Sequence, residues 1–303
     1  MTDLSVHIGG LRLANPVLTA SGTFGYGEEF NDFFDLNRLG GLITKTVTLE
    51  YRPGNPPPRI VETAAGMLNS IGLPNLGVDG FIREKWPFLQ TLTTPVIVNV
   101  AGKSGDDFVR VVERLETVSG ISAYELNFSC PNVKEGGLSF SANAATAHQV
   151  AHAVRQVTTR PLIVKLTPNV TSISEIGLAV QEAGADAVSA INTLVGMSVD
   201  IQTRRPRLAT VTGGLSGPAI KPVALAKVYE LVRSLRIPVI AIGGIFTAED
   251  ALEFLIVGAR AVQIGTASFV HPDAALQVIQ GLEKYCAEQN TSAADLCGTL
   301  ALR

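Results

Sequence analysis

Short apolar runs recur along this chain with room for one helix between most neighbours, and nothing else in the sequence restricts the fold as strongly. Three of them open alike, "PVIVNV" from Pro95, "PLIVKL" from Pro161 and "PVIAIGG" from Pro238. Proline is tolerated at the first residue of a strand, where no ladder donor is lost. Unbroken β-branched runs suit strands buried on both faces, as in a parallel sheet. Five further runs, "PVLTAS" (16–21), "GLITKT" (41–46), "AYELNFS" (123–129), "DAVSAIN" (186–192) and "AVQIGT" (261–266), bring the total to eight. Helical stretches over 106–118, 142–157, 172–183, 221–236 and 248–257 separate most of them.

Eight strands alternating with helices predict an α/β chain folded as a (β/α)₈ TIM barrel, with a doubly wound open sheet as the competing arrangement. "EAGADAVSAINT" and "IVGARAVQIGT" repeat one unit of helix end, glycine turn, strand and polar tip. The opening "LSVHIGGLRLANP" reads as an N-terminal hairpin that closes the barrel bottom. Two connections, 48–78 and 193–222, are too long for plain turns and read as long loops at the C-terminal face. The proline run Pro56–Pro58 within the first reads as a stiff spacer. No compositional break marks a second domain, so residues 1–303 are expected to form one.

The balance of residues narrows the function. With 46% hydrophobic and 17% charged residues, the chain has enough apolar material for one large core. A formal charge of −3 gives no electrostatic reason to bind nucleic acid or an anionic membrane. No apolar run reaches the ~18 residues of a membrane span, and "MTDLSVHIGG" has no secretory pattern. Three cysteines, Cys130, Cys286 and Cys297, are too few for a disulfide framework or for the four thiolates of an iron–sulfur cluster. A reducing cytoplasm is the expected location. His148 and His152 are spaced like zinc ligands, but without a third ligand in reach they read as a solvated helix face, so no metal is expected. The arginines at 204, 205 and 207 read as a solvated loop. No G-x-G-x-x-G follows a strand, which leaves a Rossmann nucleotide site unsupported.

In a barrel, the groups that follow each apolar run meet at one mouth, where the chemistry of this fold resides. Here they are Ser21, Lys45 and Thr46, Asn99, Asn127 with Ser129 and Cys130, Lys165, Asn192 with Thr193, Gly243–Gly244, and Gly265–Thr266. Glycine turns after the last two strands are the usual phosphate site, and in "GGIFTAED" Thr247 is placed to cap the next helix. Lys45 and Lys165 interrupt apolar strands, and a buried ammonium needs an anionic partner. The asparagines offer donor and acceptor together, which matches the edge of an amide or imide ring. Cys130 ends "YELNFSC" among amides. A thiol titrating near ~8.5 needs only a modest shift to serve as a base near neutral pH. The bland alternative is a small buried filler, which is the reading for Cys286 and Cys297.

These segments resemble the dihydroorotate dehydrogenase family of flavin enzymes. The resemblance runs through "ASGTFGYGEEF", "ITKTVT", "GNPPPR", "MLNSIGLPN", "NVAG", "ELNFSCPNV", "VKLTPNV", "INTLVGM", "GGLSGPAIKP", "IGGI" and "IGTA", in that order and along essentially the whole chain. One branch of the family carries a membrane-associated extension and a serine base. Cys130 and the absence of that extension resemble the soluble class 1. "GYGEEF", "INTLVGM" and "CPNVKEGG" are most similar to the class 1B catalytic subunit, which passes electrons to NAD through a partner carrying FAD and a 2Fe-2S cluster. The fumarate-reducing class 1A homodimer is the nearer alternative. Dihydrouridine synthase is a more distant one, disfavoured by the lack of a basic surface, and a phosphosugar-type barrel or a non-catalytic subunit also remains open.

The resemblance implies FMN, one per chain, and oxidation of (S)-dihydroorotate to orotate in pyrimidine (UMP) biosynthesis. It makes Cys130 the base, Lys45 a contact to flavin and substrate, and Lys165 a positive charge near the reduced flavin. The FMN site would comprise Ser21, Lys45, Thr46, Asn99, Asn127, Lys165, Ile191, Gly217, Gly243, Gly244, Gly265 and Thr266. The substrate would meet Lys45, Asn69, Ser70, Ile71, Gly72, Leu73, Asn127, Asn132, Asn192 and Thr193. A homodimer core in a heterotetramer with the FAD/iron–sulfur subunit is the implied assembly. Gly136–Gly137 would be either a lid hinge or an ordinary turn.

Overall fold

A computed structural model describes residues 2–128 and 143–302. The chain opens with an antiparallel hairpin of β1 (Val6–Ile8) and β2 (Leu11–Leu13). The first barrel strands are β3 (Val17–Thr19) and β4 (Leu42–Ile43). An insertion then forms β5 (Ile60–Thr63) and β6 (Gly66–Asn69). The barrel continues with β7 (Val96–Val100), β8 (Ala123–Asn127), β9 (Leu162–Leu166) and β10 (Ala187–Ala190). A second insertion holds β11 (Leu194–Met197), β12 (Val199–Asp200), β13 (Arg205–Pro206) and β14 (Thr212–Ser216). The last barrel strands are β15 (Val239–Ile242) and β16 (Ala261–Ile264).

The eight barrel strands run in the order β3-β16-β15-β10-β9-β8-β7-β4, all parallel. All eight coincide with the apolar runs of the sequence. The seam between β3 and β4 closes through one parallel bridge, Leu18 to Gly41. There the Thr19 hydroxyl supplements the few backbone bonds. It accepts from the Ile43 N–H at 2.8 Å and donates to the Ile43 carbonyl at 3.2 Å. The strands are buried on both faces, as their branched composition requires.

The main outer helices are α1 (Gly77–Glu84), α2 (Trp86–Leu89), α3 (Gly105–Glu116), α4 (Ala144–Arg155), α5 (Ile173–Glu182), α6 (Lys221–Ser234) and α7 (Ala248–Val257). A terminal group follows: α8 (Ala267–Val270), α9 (Ala274–Gln289) and α10 (Ala293–Leu296). From α3 to α7 each helix packs on the next, forming the outer layer. Their starts are fixed locally. Ser104, Asn143 and Ser172 each accept a backbone N–H of the first turn. Thr247 caps α7 as expected, and with Asp250 it forms a full capping box. The hairpin turn at Gly9 abuts Asp186, just before β10, so the hairpin covers the barrel bottom.

The long connections are not plain loops. Parts of both fold together into a four-stranded antiparallel sheet, β11-β14-β6-β5. Both insertions follow the C-terminal ends of barrel strands, so the sheet stands at the mouth. Its glycines permit close strand contact. A Cβ on Gly214 would fall 2.1 Å from the Thr193 hydroxyl oxygen. Alternation was hard to see here because pairing partners such as Asn69 and Gly214 lie 145 residues apart.

Candidate active site

Strand alternation sends every second side chain of each barrel strand inward. On β8 the inward set includes Glu125 and Asn127. Asn99 pairs across from Glu125, and Lys165 pairs across from both Asn127 and Ser189. Polar side chains from five strands therefore share the upper barrel interior, and hydrogen bonds join them.

Glu125 is the centre of that network and was not singled out in the sequence. It is fully buried. One carboxylate oxygen accepts from the Asn99 amide at 2.6 Å. The other accepts from the Ser189 hydroxyl at 2.8 Å and the Gln263 amide at 2.6 Å. The carboxylate can only accept, so it fixes the Asn99 amide with its nitrogen toward Glu125, and the Asn99 oxygen accepts from the Thr46 hydroxyl at 2.6 Å. Lys165 Nζ lies 3.8 Å from the first Glu125 oxygen and donates to the Ser21 hydroxyl at 3.4 Å. The anion demanded by a buried lysine is thus inside the protein. The signal in the sequence is the single charged residue within "AYELN".

Above this layer, Asn192 donates to the Asn127 side-chain oxygen at 3.3 Å, and its own oxygen accepts the Thr193 N–H at 2.7 Å. Asn69 reaches the same rim from β6 and donates to the Gly214 carbonyl at 3.2 Å. The next residues are braced from below. The Ser70 N–H donates to the Arg59 carbonyl at 2.7 Å, and the Ile71 carbonyl accepts the Asn55 N–H at 3.0 Å. The Ser70 hydroxyl bonds Asn55 and Thr210, so it is committed within the rim. Gly72 and Leu73 both take positive φ, at 78° and 54°.

Lys45 is half-buried after β4, and its N–H donates to the Gly25 carbonyl at 2.7 Å. Its ammonium makes no hydrogen bond or ion pair among the described residues. Burial pulls its pKa below the ordinary lysine range, with Arg59 adding repulsion and Glu29 opposing the shift.

The glycine tips gather on another side of the mouth. The Ile191 N–H donates to the Ile242 carbonyl at 2.8 Å, which sets Ile191 beside Gly243. Gly244 packs against Lys221, whose ammonium pairs with Asp250 at 2.7 Å and Glu253 at 2.8 Å. The Thr266 hydroxyl donates to the Ser216 hydroxyl at 2.8 Å, next to Gly217, and Gly265 lies against Ala20. Ser129, Cys130, Asn132 and Gly136–Gly137 lie outside the described residues. Cys286 is buried within α9 and Cys297 half-buried after α10, away from these tips. His148 and His152 stack on α4, and no cluster of metal-binding side chains occurs among the described residues.

The family model for dihydroorotate dehydrogenase matches residues 3–286. The chain belongs to the dihydroorotate dehydrogenase family. Curated relatives include the catalytic subunit of dihydroorotate dehydrogenase B (NAD(+)) from Geotalea uraniireducens, 54% identical over 94% of both chains. The same-named subunit of Geobacter sulfurreducens is 54% identical over 94% of both. That of Geotalea daltonii is 52% identical over 99% of both. Family membership is therefore distributed along the whole barrel and is not confined to one motif. Class 1B is the branch these relatives represent. No helix among the described residues is long and apolar enough to cross a membrane.

Proposed function

We propose that this chain oxidises (S)-dihydroorotate to orotate in pyrimidine biosynthesis, with FMN resident in the barrel mouth. The observation that carries the reading is the Asn127–Lys165 cross-strand pair at the mouth. It occurs in a chain sharing half its residues with NAD(+)-linked catalytic subunits.

The residues suit a flavin. Lys165 has three N–H donors but, among the described residues, one hydrogen bond and one ion pair, both long. An electron-rich ring edge would complete its coordination. Gly243 and Gly244 hold positive φ of 130° and 72° and carry no side chain between backbone and ligand, as a phosphate cradle requires. Ser21, Lys45, Thr46, Asn99, Asn127, Ile191, Gly217, Gly265 and Thr266 complete the proposed FMN site.

Bound FMN supplies the acceptor for the hydride leaving C6 of the substrate. The chain's own work is to orient the ring and take the C5 proton, so that the C5–C6 double bond forms as both hydrogens leave. Cys130 Sγ is the proposed proton acceptor. Asn69, Asn127, Asn132 and Asn192 present amides that match the imide edge, and Lys45, Thr193 and the 70–73 backbone line the remainder. Lys165 stabilises the negative charge that builds on the cofactor side.

The electrons then pass to NAD through a partner subunit carrying FAD and a 2Fe-2S cluster. The relatives' names, which specify NAD(+) and a catalytic subunit, support this route. The proposed assembly is a cytoplasmic heterotetramer built on a homodimer of this chain. To test the function, the isolated chain is assayed with dihydroorotate and a dye, fumarate or NAD, then again with the partner. Dye reduction alone and NAD reduction only with the partner are expected. Cys130→Ala should keep FMN and lose nearly all turnover. Colourless protein that refuses FMN would overturn the reading, and fumarate turnover by the chain alone would overturn the NAD route.

A further inference from the structure

The polar layer beneath the mouth is unusually costly for a barrel interior, and its composition points to a purpose. A fully buried carboxylate is tolerated only where its charge and lone pairs are met. Glu125 meets three neutral donors from β7, β10 and β16, and one ammonium from β9. Three neighbours donate hydrogen bonds and the fourth brings a positive charge, which suits an acceptor-only carboxylate. Gln263 shows what this arrangement requires. Its amide nitrogen faces Glu125, and its own oxygen is left buried without a partner among the described residues.

The lysine side is equally constrained. The Lys165 side chain is 7% exposed and that of Glu125 0% exposed, so water screens neither charge. Their 3.8 Å separation exceeds a direct hydrogen bond but keeps them a charge pair. Thr46 and Ser21 tie the two ends of this network to the rim.

We propose that Glu125 is a positioning residue, the internal counter-ion that holds the Lys165 ammonium under the mouth and offsets its charge. The inference rests on the flavin reading above and deepens it. The lysine favours electron arrival at the site, while the carboxylate limits how strongly. The net charge beneath the reacting groups is therefore close to zero, and Glu125 sets it.

The test uses the FMN-loaded enzyme and the two-electron midpoint potential of its flavin, measured against reference dyes. Glu125→Gln removes the negative charge at nearly constant shape. The expected result is a shift to more positive potential of about 30 mV, a tenfold change in the reduction equilibrium. Glu125→Asp keeps the charge but is one methylene shorter, and it should stay within twofold of wild type. A purely structural role predicts the reverse order, with the isosteric glutamine milder than the shortened aspartate. An unshifted or more negative potential in Glu125→Gln, or a larger positive shift in Glu125→Asp, would overturn the proposal.

A second measurement needs no flavin. In the FMN-free chain, Glu125→Gln leaves a buried ammonium unpaired, and adding Lys165→Met removes it. The double variant should melt above Glu125→Gln. Melting at or below it would overturn the pairing. Wild-type protein that cannot be loaded with FMN would instead overturn the functional reading, a failure visible before any substitution is made.

Discussion

Two lysine–carboxylate contacts occupy different depths of this barrel. Lys221 reaches Asp250 at 2.7 Å, with the side chains 25% and 16% exposed. Lys165 stands 3.8 Å from Glu125, with the side chains 7% and 0% exposed. Distance alone would rank the outer pair as the stronger. Burial reverses the ranking, because screening fades inside the protein and an unpaired charge there has no water to turn to. The outer pair also has a spare partner in Glu253, whereas Lys165 has one carboxylate among the described residues. The closer contact secures a helix start. The longer one holds charge at the place where electrons are proposed to arrive.

The most direct way to break this contrast is Glu125→Leu. It strands the Lys165 ammonium and the donors of Asn99, Ser189 and Gln263 together. Breaking one partner of a buried pair costs about 3–5 kcal/mol, and urea unfolding should report a loss of that size. A loss below about 1 kcal/mol would show that the interior pair is no more consequential than an exposed one. Lys165→Ala comes next. It leaves Glu125 three neutral donors, so the fold should survive better. Flavin reduction by dihydroorotate should slow by about 100-fold, the scale for one lost electrostatic stabiliser, while orotate binding changes less. Stopped-flow bleaching against an orotate titration separates the two, and an unchanged bleaching rate would remove Lys165 from the chemistry.

The two depths were unequally legible in the sequence. The eight strands showed plainly, because burial on both faces forces unbroken apolar runs such as "PLIVKL". Lys165 showed as well, being a charge within such a run. Its partner did not. Glu125 stands in "AYELNFS", where the eye goes to the amides and thiol that follow, and no local rule says which strand will face it. The Asn99–Glu125–Gln263 contacts join residues 26 and 138 positions apart. The antiparallel sheet at the mouth was hidden for the same reason. Its strands come from two insertions, and close approach at Gly213–Gly214 replaces the large alternating side chains that announce a strand. By contrast, Thr247 could be placed as a cap, since a capping box is a local pattern of four residues.

Gly244→Ala attacks the outer pair through the backbone. Gly244 has φ 72°, and an added Cβ would lie 2.7 Å from Lys221 Cβ and 2.8 Å from its backbone nitrogen. A left-handed alanine and a displaced Lys221 should together cost about 2 kcal/mol. FMN affinity should fall as well if the glycine tip cradles phosphate. Stability loss with unaltered FMN titration would leave this turn a packing element alone.

Asp250→Asn should produce the smallest effect, and its pH dependence distinguishes charge from capping. Burial alone would push the Asp250 carboxyl up, but the Lys221 ammonium and the N–H groups of Phe246 and Thr247 outweigh it and hold the pKa below the ordinary value. A carboxyl lowered by folding contributes stability that is complete above its unfolded value, near ~3.9, and is lost as pH falls through the lower folded value. Asparagine retains an oxygen for the two N–H groups but gives up the charge, and Glu253 still holds Lys221 at 2.8 Å. The loss at pH 7 should therefore be about 1 kcal/mol or less. It should shrink as the solution is acidified below the ordinary carboxylate range, until wild type and variant unfold alike. A difference that persists undiminished at pH 2 would mean that the aspartate acts through shape and hydrogen bonding, and that the outer pair contributes no charge effect to set against the inner one.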